Sequence, residues 1–244
     1  MRFLSNRLNT SRVGRAIGAA AVAAPLAATL LISPVLAQDP TATPGVIGSP
    51  VATDSCDLTN PSFIPEGAAT TYVIDSSQSR VAYHAEEELA QIGAQTATGT
   101  TNAFIGQVAL DANGLPMACS RFDADLRTLT SDESRRDNFL YSNVLETETY
   151  PLATFVLTSV EGMNGALVEG QETSVRLIGN LTMHGVTNQV AWDGTVTLNG
   201  DTLTGHATTS FMLDQYNMQK PIVGPVISID DTIQLEVNIV AAKA

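Results

Sequence analysis

The sequence predicts an all-β fold interrupted by one short helical insert. Three observations carry that reading. From Thr71 to the C-terminus, apolar and polar residues alternate with the period of two that a half-buried strand requires. Turn residues punctuate these runs at hairpin spacing. Only the stretch Ser131–Phe155 departs from the pattern, with a helical signal near 131–142. About eight to nine antiparallel strands in roughly 174 residues suit one closed barrel or a sandwich. A closed barrel of about eight strands can hold one small ligand in its interior.

Before the strands comes a different kind of chain. Arg2, Arg7, Arg12 and Arg15 precede an apolar run from Ala16 to Ala37 that ends Val35-Leu36-Ala37. That is the pattern of a secretory signal over 1–37, with a basic start and a small-residue cleavage site. An uncleaved membrane anchor is the alternative, since about 20 apolar residues can span a bilayer; Pro25, Pro34 and the many alanines favour cleavage. Either outcome places the domain outside the cytoplasm, secreted, extracellular or periplasmic. Cleavage removes four of the twelve basic residues and none of the 25 acids, which leaves a formal charge of −17. Such a surface repels nucleic acid at long range and excludes it as a partner.

Residues 38–70 read as a linker rich in Pro, Thr, Gly and Ser, followed by an N-terminal extension. The chain's two cysteines, Cys56 and Cys119, favour a disulfide in an oxidising compartment, tying the extension to a strand.

The barrel domain, 71–244, then runs strand by strand. Tyr72 and Ile74 alternate with polar neighbours, as do Val81, Tyr83 and Ala85. Ala103 to Leu110 is closed by Asp111-Ala-Asn-Gly114. Met117 to Arg127 places Ser120, Phe122, Ala124 and Leu126 on one face and Arg121, Asp123, Asp125 and Arg127 on a solvated other. In the insert, Thr130-x-x-Glu133 reads as a capping box and Pro151 forbids continuation. Strands follow at Leu152–Val160, Ser174–Met183, Gln189–Leu198, Thr202–Phe211 and Thr232–Val240, with Asn199-Gly200-Asp201 the clearest hairpin turn. Several strands use small residues, among them Ala124, Gly179, Gly205 and Ala207, on the face that is otherwise apolar. A solid core needs larger groups to reach native density, so these hint at a hollow interior.

Three blocks resemble a known family. Thr71-Tyr-Val-Ile-Asp-Ser-Ser-Gln-Ser-Arg-Val-Ala-Tyr83 resembles its opening strands. Arg135-Arg-Asp137 followed by Tyr150-Pro-Leu-Ala-Thr-Phe155 resembles its central signature, and Gly179-Asn-Leu-Thr-Met-His-Gly-Val-Thr187 its third motif. The chain from about 71 to 244 is thereby similar to the YceI-like group, lipocalin-like secreted or periplasmic proteins associated with polyisoprenoid binding. The resemblance implies an eight-stranded antiparallel lipocalin-like barrel whose hydrophobic tunnel holds an isoprenoid or other lipid-like chain, with no catalysis and no cofactor. Where many members carry a His after the Arg-Asp pair, this chain has Asn138-Phe139, which makes the expected entrance more apolar.

The candidate ligand-binding residues are Tyr83, Phe104, Phe122, Phe139, Tyr141, Phe155, Met183, Trp192 and Phe211, with Met212 beside them. Arg136 is the candidate for a polar head group, weighed against a structural role in which Arg136 and Asp137 fix the insert to the rim. The insert itself is expected to gate the barrel, with Phe139 and Tyr141 at the apolar entrance. His84, His184 and His206 share no ligand spacing, and a zinc site is not expected. No G-x-S-x-G elbow is present for a serine hydrolase. The rival to lipid carriage or storage is a secreted stress-response or interaction module with a solid barrel. An exposed strand edge leaves a homodimer open.

Overall fold

The computed structural model describes residues 45–244 of the 244-residue chain, apart from 164 and 223. The signal segment 1–37 and the first linker residues, 38–44, lie outside the described residues.

Twelve strands occur among the described residues: β1 (Val46–Gly48), β2 (Thr70–Ile74), β3 (Arg80–Leu89), β4 (Gly93–Thr101), β5 (Phe104–Leu110), β6 (Arg121–Asp125), β7 (Thr130–Ser131), β8 (Leu152–Glu161), β9 (Thr173–Met183), β10 (Val186–Asn199), β11 (Thr202–Met212) and β12 (Val226–Lys243). Eight of them close an antiparallel ring in the order β2-β5-β6-β8-β9-β10-β11-β12, with β12 returning to β2. The barrel is thus the outcome, not the sandwich. Closure abolishes sheet edges that two open sheets would leave exposed.

The long strand β12 has two neighbours on one side. Its C-terminal end, Ala241–Lys243, pairs with β2, whereas Val226–Asn238 pairs with β3, and β4 and β7 extend outward from there. The turn at Asp75–Ser79 lets the chain change register: the Asp75 carbonyl accepts from the Ser79 amide, and its carboxylate accepts from the Ser77 hydroxyl, the Gln78 side chain and the Ser77 amide. These hydrogen bonds to the ionised form hold its carboxyl below the usual carboxylate range.

Two hairpins follow directly from sequence. Asn199 pairs with Thr202 around Gly200-Asp201. Met183 pairs with Val186 around His184-Gly185, where φ is 48° and 73°. Both residues of that turn need left-handed backbone, which matches the twist of the strands they join.

Three readings are corrected. Residues 117–120 are not strand, with a turn at 118–119 and Cys119 at φ 68°; β6 spans only Arg121–Asp125, and Leu126–Thr128 form a 3-10 turn. The outer face of β6 is not solvated, because the N-terminal extension covers it: Asp123 is buried beneath Arg121, which donates to it at 2.9 Å and also to the Leu58 carbonyl. The helix α1 spans Ser134–Asn143 and is capped by Glu133, whose carboxylate accepts from the Arg135 amide at 3.0 Å, rather than by Thr130.

The extension is the element that the sequence concealed. Within the stretch read as linker, β1 pairs with β10, and the Asn180 side chain binds both the amide and the carbonyl of Val51, at 2.9 and 2.6 Å. A disulfide joins Cys56 to Cys119. A short polar segment thereby becomes a strap across the outside of the barrel.

Candidate functional site

The inward side chains of the ring enclose an apolar cavity of about 130 Å³. Every strand of the closed ring except β2 contributes to its wall, and Val81 of β3 joins them. Four aromatic rings line it and touch in series across neighbouring strands. Phe104 stacks on Phe122 at 6.0 Å, Phe122 meets Phe155 at 6.2 Å, and Phe155 meets Trp192 edge-on at 6.1 Å. Such offset and edge contacts are the favourable ones for aromatic pairs. Small residues open the space beside them: Ala124, Gly205 and Ala207 also line it. Gly179 serves differently, since a Cβ there would strike the Phe155 ring and the Val156 carbonyl. The glycine of the third sequence motif is a seat for the aromatic ring of the second.

The loops after β5 and β8 contribute Pro116 and Leu167 to the wall, and the lining runs along the strands to Phe104, Ala124 and Ala153 near the opposite ends of β5, β6 and β8. The aliphatic wall, including Val175, Leu177, Leu203, Val237 and Ile239, was not singled out from sequence. Its only signal was strand alternation, which does not distinguish lining from solid core.

Of the sequence-derived candidates, the structure brings together Phe104, Phe122, Phe155 and Trp192. The others lie elsewhere. Tyr83 packs over Gly99 and beneath the insert, where burial pushes its phenol up to about 12. Met183 and Phe211 belong to the packed core beyond the cavity, where Phe211 meets Tyr216 edge-on at 5.3 Å; Met212 is half-buried there. Phe139 packs against the core cluster from α1, and the Tyr141 hydroxyl donates to the Leu129 carbonyl. Neither lines the cavity, so Phe139 and Tyr141 do not form its entrance.

Arg136 is also engaged. It donates to Glu87 at 3.1 Å and to Asp132 at 2.8 Å, and does not pair with Asp137. Asp137 instead accepts from the Ser131 amide and hydroxyl, at 3.1 and 2.6 Å. Both residues fix the insert, but to separate partners on β3 and β7. A head-group role for Arg136 would require breaking the buried Glu87 pair.

The three histidines do not converge. His84 and His206 flank Glu236 on the outer face, at 3.2 and 3.6 Å. His184 contacts the Tyr216 carbonyl at 3.0 Å and the Tyr150 ring at 4.8 Å. Among the described residues, no group of three or more His, Cys, Asp or Glu side chains is placed to hold a metal ion.

A closed eight-stranded antiparallel barrel around an aromatic-lined apolar interior defines the class: a lipocalin-like barrel. The chain belongs to the YceI-like domain family, whose model matches residues 72–241. It is 29% identical over 165 residues to a UPF0312 protein of Pseudomonas putida, covering 64% of this chain and 79% of that one. Among solved structures it resembles the polyisoprenoid-binding domain from Saccharophagus degradans implicated in plant cell wall breakdown, with a TM-score of 0.58 at 15% identity over 71% of this chain and 98% of that one. It also resembles Burkholderia cenocepacia BcnA, with a TM-score of 0.54 at 20% identity over 69% and 99%.

Proposed function

We propose that the barrel binds a lipid-like apolar chain, an isoprenoid or a fatty-acid-like tail, in its interior, and that it carries or stores that chain outside the cytoplasm. The carrying observation is the cavity walled by Phe104, Phe122, Phe155, Trp192 and aliphatic side chains. The polyisoprenoid-binding relative of the same fold supports the reading. A binding role needs no catalytic group, and none is invoked.

Size defines what fits. A cavity of about 130 Å³ is close to an engineered one of about 150 Å³ that accepts benzene. As it stands, it admits one narrow segment of chain; a long isoprenoid needs the loops bearing Pro116 and Leu167 to separate. Each buried CH₂ then contributes roughly 0.8 kcal/mol. The chain's single tryptophan, Trp192, lines the cavity and reports occupancy. Titration with farnesol is expected to change its fluorescence saturably at one ligand per chain and to raise Tm. Protein freed of co-purified lipid that shows neither change overturns the reading and favours an interaction module.

Export is part of the proposal. The pattern over 1–37 and the Cys56–Cys119 disulfide both support it. N-terminal sequencing of the processed protein is expected to begin at Gln38; recovery of intact residues 1–37 on a cytoplasmic protein overturns it.

A further inference from the structure

The outside of the barrel carries a second cleft, of about 550 Å³, where the β2–β3 and β4–β5 turns adjoin β7. It faces away from the interior. Val81, Val237 and Ile239 line the apolar cavity, so their strand neighbours Arg80 and Asn238 point outward. Cross-strand register continues that outer face: Asn238 pairs with Arg80, Ala82 with Thr100, and Thr100 with Thr130.

Part of the cleft's polar lining is already engaged. Ser77 and Gln78 donate to Asp75, Ser79 to the Val240 carbonyl, and Asn238 to Glu236, while Thr101 and Thr128 share a hydrogen bond. Four lining groups remain: the Arg80 guanidinium, the Thr100 and Thr130 hydroxyls, and the Asn102 side-chain amide make no hydrogen bond among the described residues. Arg80 stands out among the cations. Of the eight Lys and Arg side chains in the described residues, six pair with carboxylates, and only Arg80 and Arg135 do not. In a chain with 25 acids, the cleft lining includes no carboxylate. Asp75 and Glu236, which adjoin it, are held by their own donors.

We propose that this cleft binds a small hydroxylated oxyanion, a sugar acid or a sugar phosphate, independently of the apolar ligand inside the barrel. The planar fork of Arg80 is suited to two oxygens of a carboxylate or phosphate. Thr100, Asn102 and Thr130 supply donors and acceptors for hydroxyls on the ligand's body. The volume lies within the roughly 300–1,000 Å³ of small-molecule sites. No aromatic side chain lines the cleft, so a nucleic-acid base or an uncharged sugar ring finds no stacking surface. A formal charge of −13 repels long polyanions, which leaves small ones.

The test titrates the full domain with glucuronate, glucose 6-phosphate and glucose, followed by amide chemical shifts. At least one anion is expected to saturate with Kd on the order of 1 mM or below, about tenfold or more tighter than glucose, the effect of hydrogen bonds to a charged group. Shifts are expected at Arg80, Thr100, Asn102 and Thr130, and to be unchanged when farnesol is present. Which anion binds more tightly distinguishes a carboxylate source from a phosphate source. Arg80→Gln is expected to weaken anion binding about tenfold or more at unchanged Tm. Arg135→Gln, which removes the other unpaired guanidinium, is expected to leave it intact. Thr100→Val gives a second, smaller loss. Glucose binding as tightly as both anions, anion binding undiminished in Arg80→Gln, or no saturable shift at the cleft with any probe overturns the proposal. Each of these results leaves the apolar-ligand reading standing.

Discussion

At the scale of single residues, the family's sequence motifs turn out to be instructions for packing. Gly179 gives room to Phe155, and His184-Gly185 makes a left-handed turn braced by Tyr150 and the Tyr216 carbonyl. Motifs that looked like a ligand signature therefore build the wall, and only Val81, Ala153, Phe155 and Leu181 from them reach the cavity. Gly179→Ala is expected to cost about 1–3 kcal/mol in urea unfolding, because the added methyl meets both a backbone carbonyl and a ring that cannot retreat. An unchanged midpoint would mean that β8 and β9 can part at this point. The aromatic candidates were legible from composition, but their assignment was not. Phe211 and Phe155 have the same residue type and the same alternation, yet one fills the solid core and the other faces the void.

Elements show where local and non-local information separate. The helix α1 was visible as a break in alternation, and its rigid attachment is explained by two tethers, Arg136 to Glu87 and Asp137 to Ser131. Glu87 is 7% exposed, so removing its cation leaves a nearly buried carboxylate. Arg136→Met is expected to destabilise by roughly 3 kcal/mol, and the double change with Glu87→Met to recover much of it, since removing both charges removes the uncompensated burial. Denaturation of the four proteins in the cycle checks this; equal losses in single and double variants would show that the ion pair is not the tether. The strap behaves oppositely. Nothing periodic marks residues 45–67, because beyond the short β1 its tertiary backbone bonds are made with side chains of distant strands, Asn180, Arg121 and Gln107. The disulfide closes a sequence separation of 63 residues. On the chain-entropy account, replacing both cysteines by serine costs about 4 kcal/mol, measured as the difference in urea stability between wild type and variant. A loss below about 1 kcal/mol would show that the strap's hydrogen bonds suffice.

For the whole molecule, the buried phenols set an alkaline limit. Burial raises Tyr83 from 10.0 to about 12 and raises Tyr216 further. A group whose folded pKa is raised contributes stability that is complete below the unfolded value and is lost as pH climbs to the folded one. Stability is thus expected to fall between pH 10 and about 12, by roughly 3 kcal/mol for Tyr83 alone. Tyr83→Phe should flatten part of that decline in a pH series of thermal melts, and an undiminished decline would place the phenol in solvent. Glu236 acts at the other end. Hydrogen bonds from Asn238 and then His84 hold its carboxyl below 4.5, so its contribution is present above that value and fades as pH falls below it.

By itself the sequence determined the all-β architecture, the approximate strand positions, the helical insert, both tight hairpins and the family. Each rests on local periods, turn chemistry or contiguous motifs that neighbouring residues encode. The closed barrel was already implied by the family resemblance; tertiary structure alone decided that Arg136 pairs with Glu87 and which of the aromatic candidates line the void. The physical reason is that alternation fixes which face of its own strand a side chain occupies. It does not fix the stagger between strands, and stagger sets the height at which each ring enters the interior. A cavity is also a difference between the volume the ring of strands encloses and the volume its side chains fill. Only the assembled barrel defines that difference.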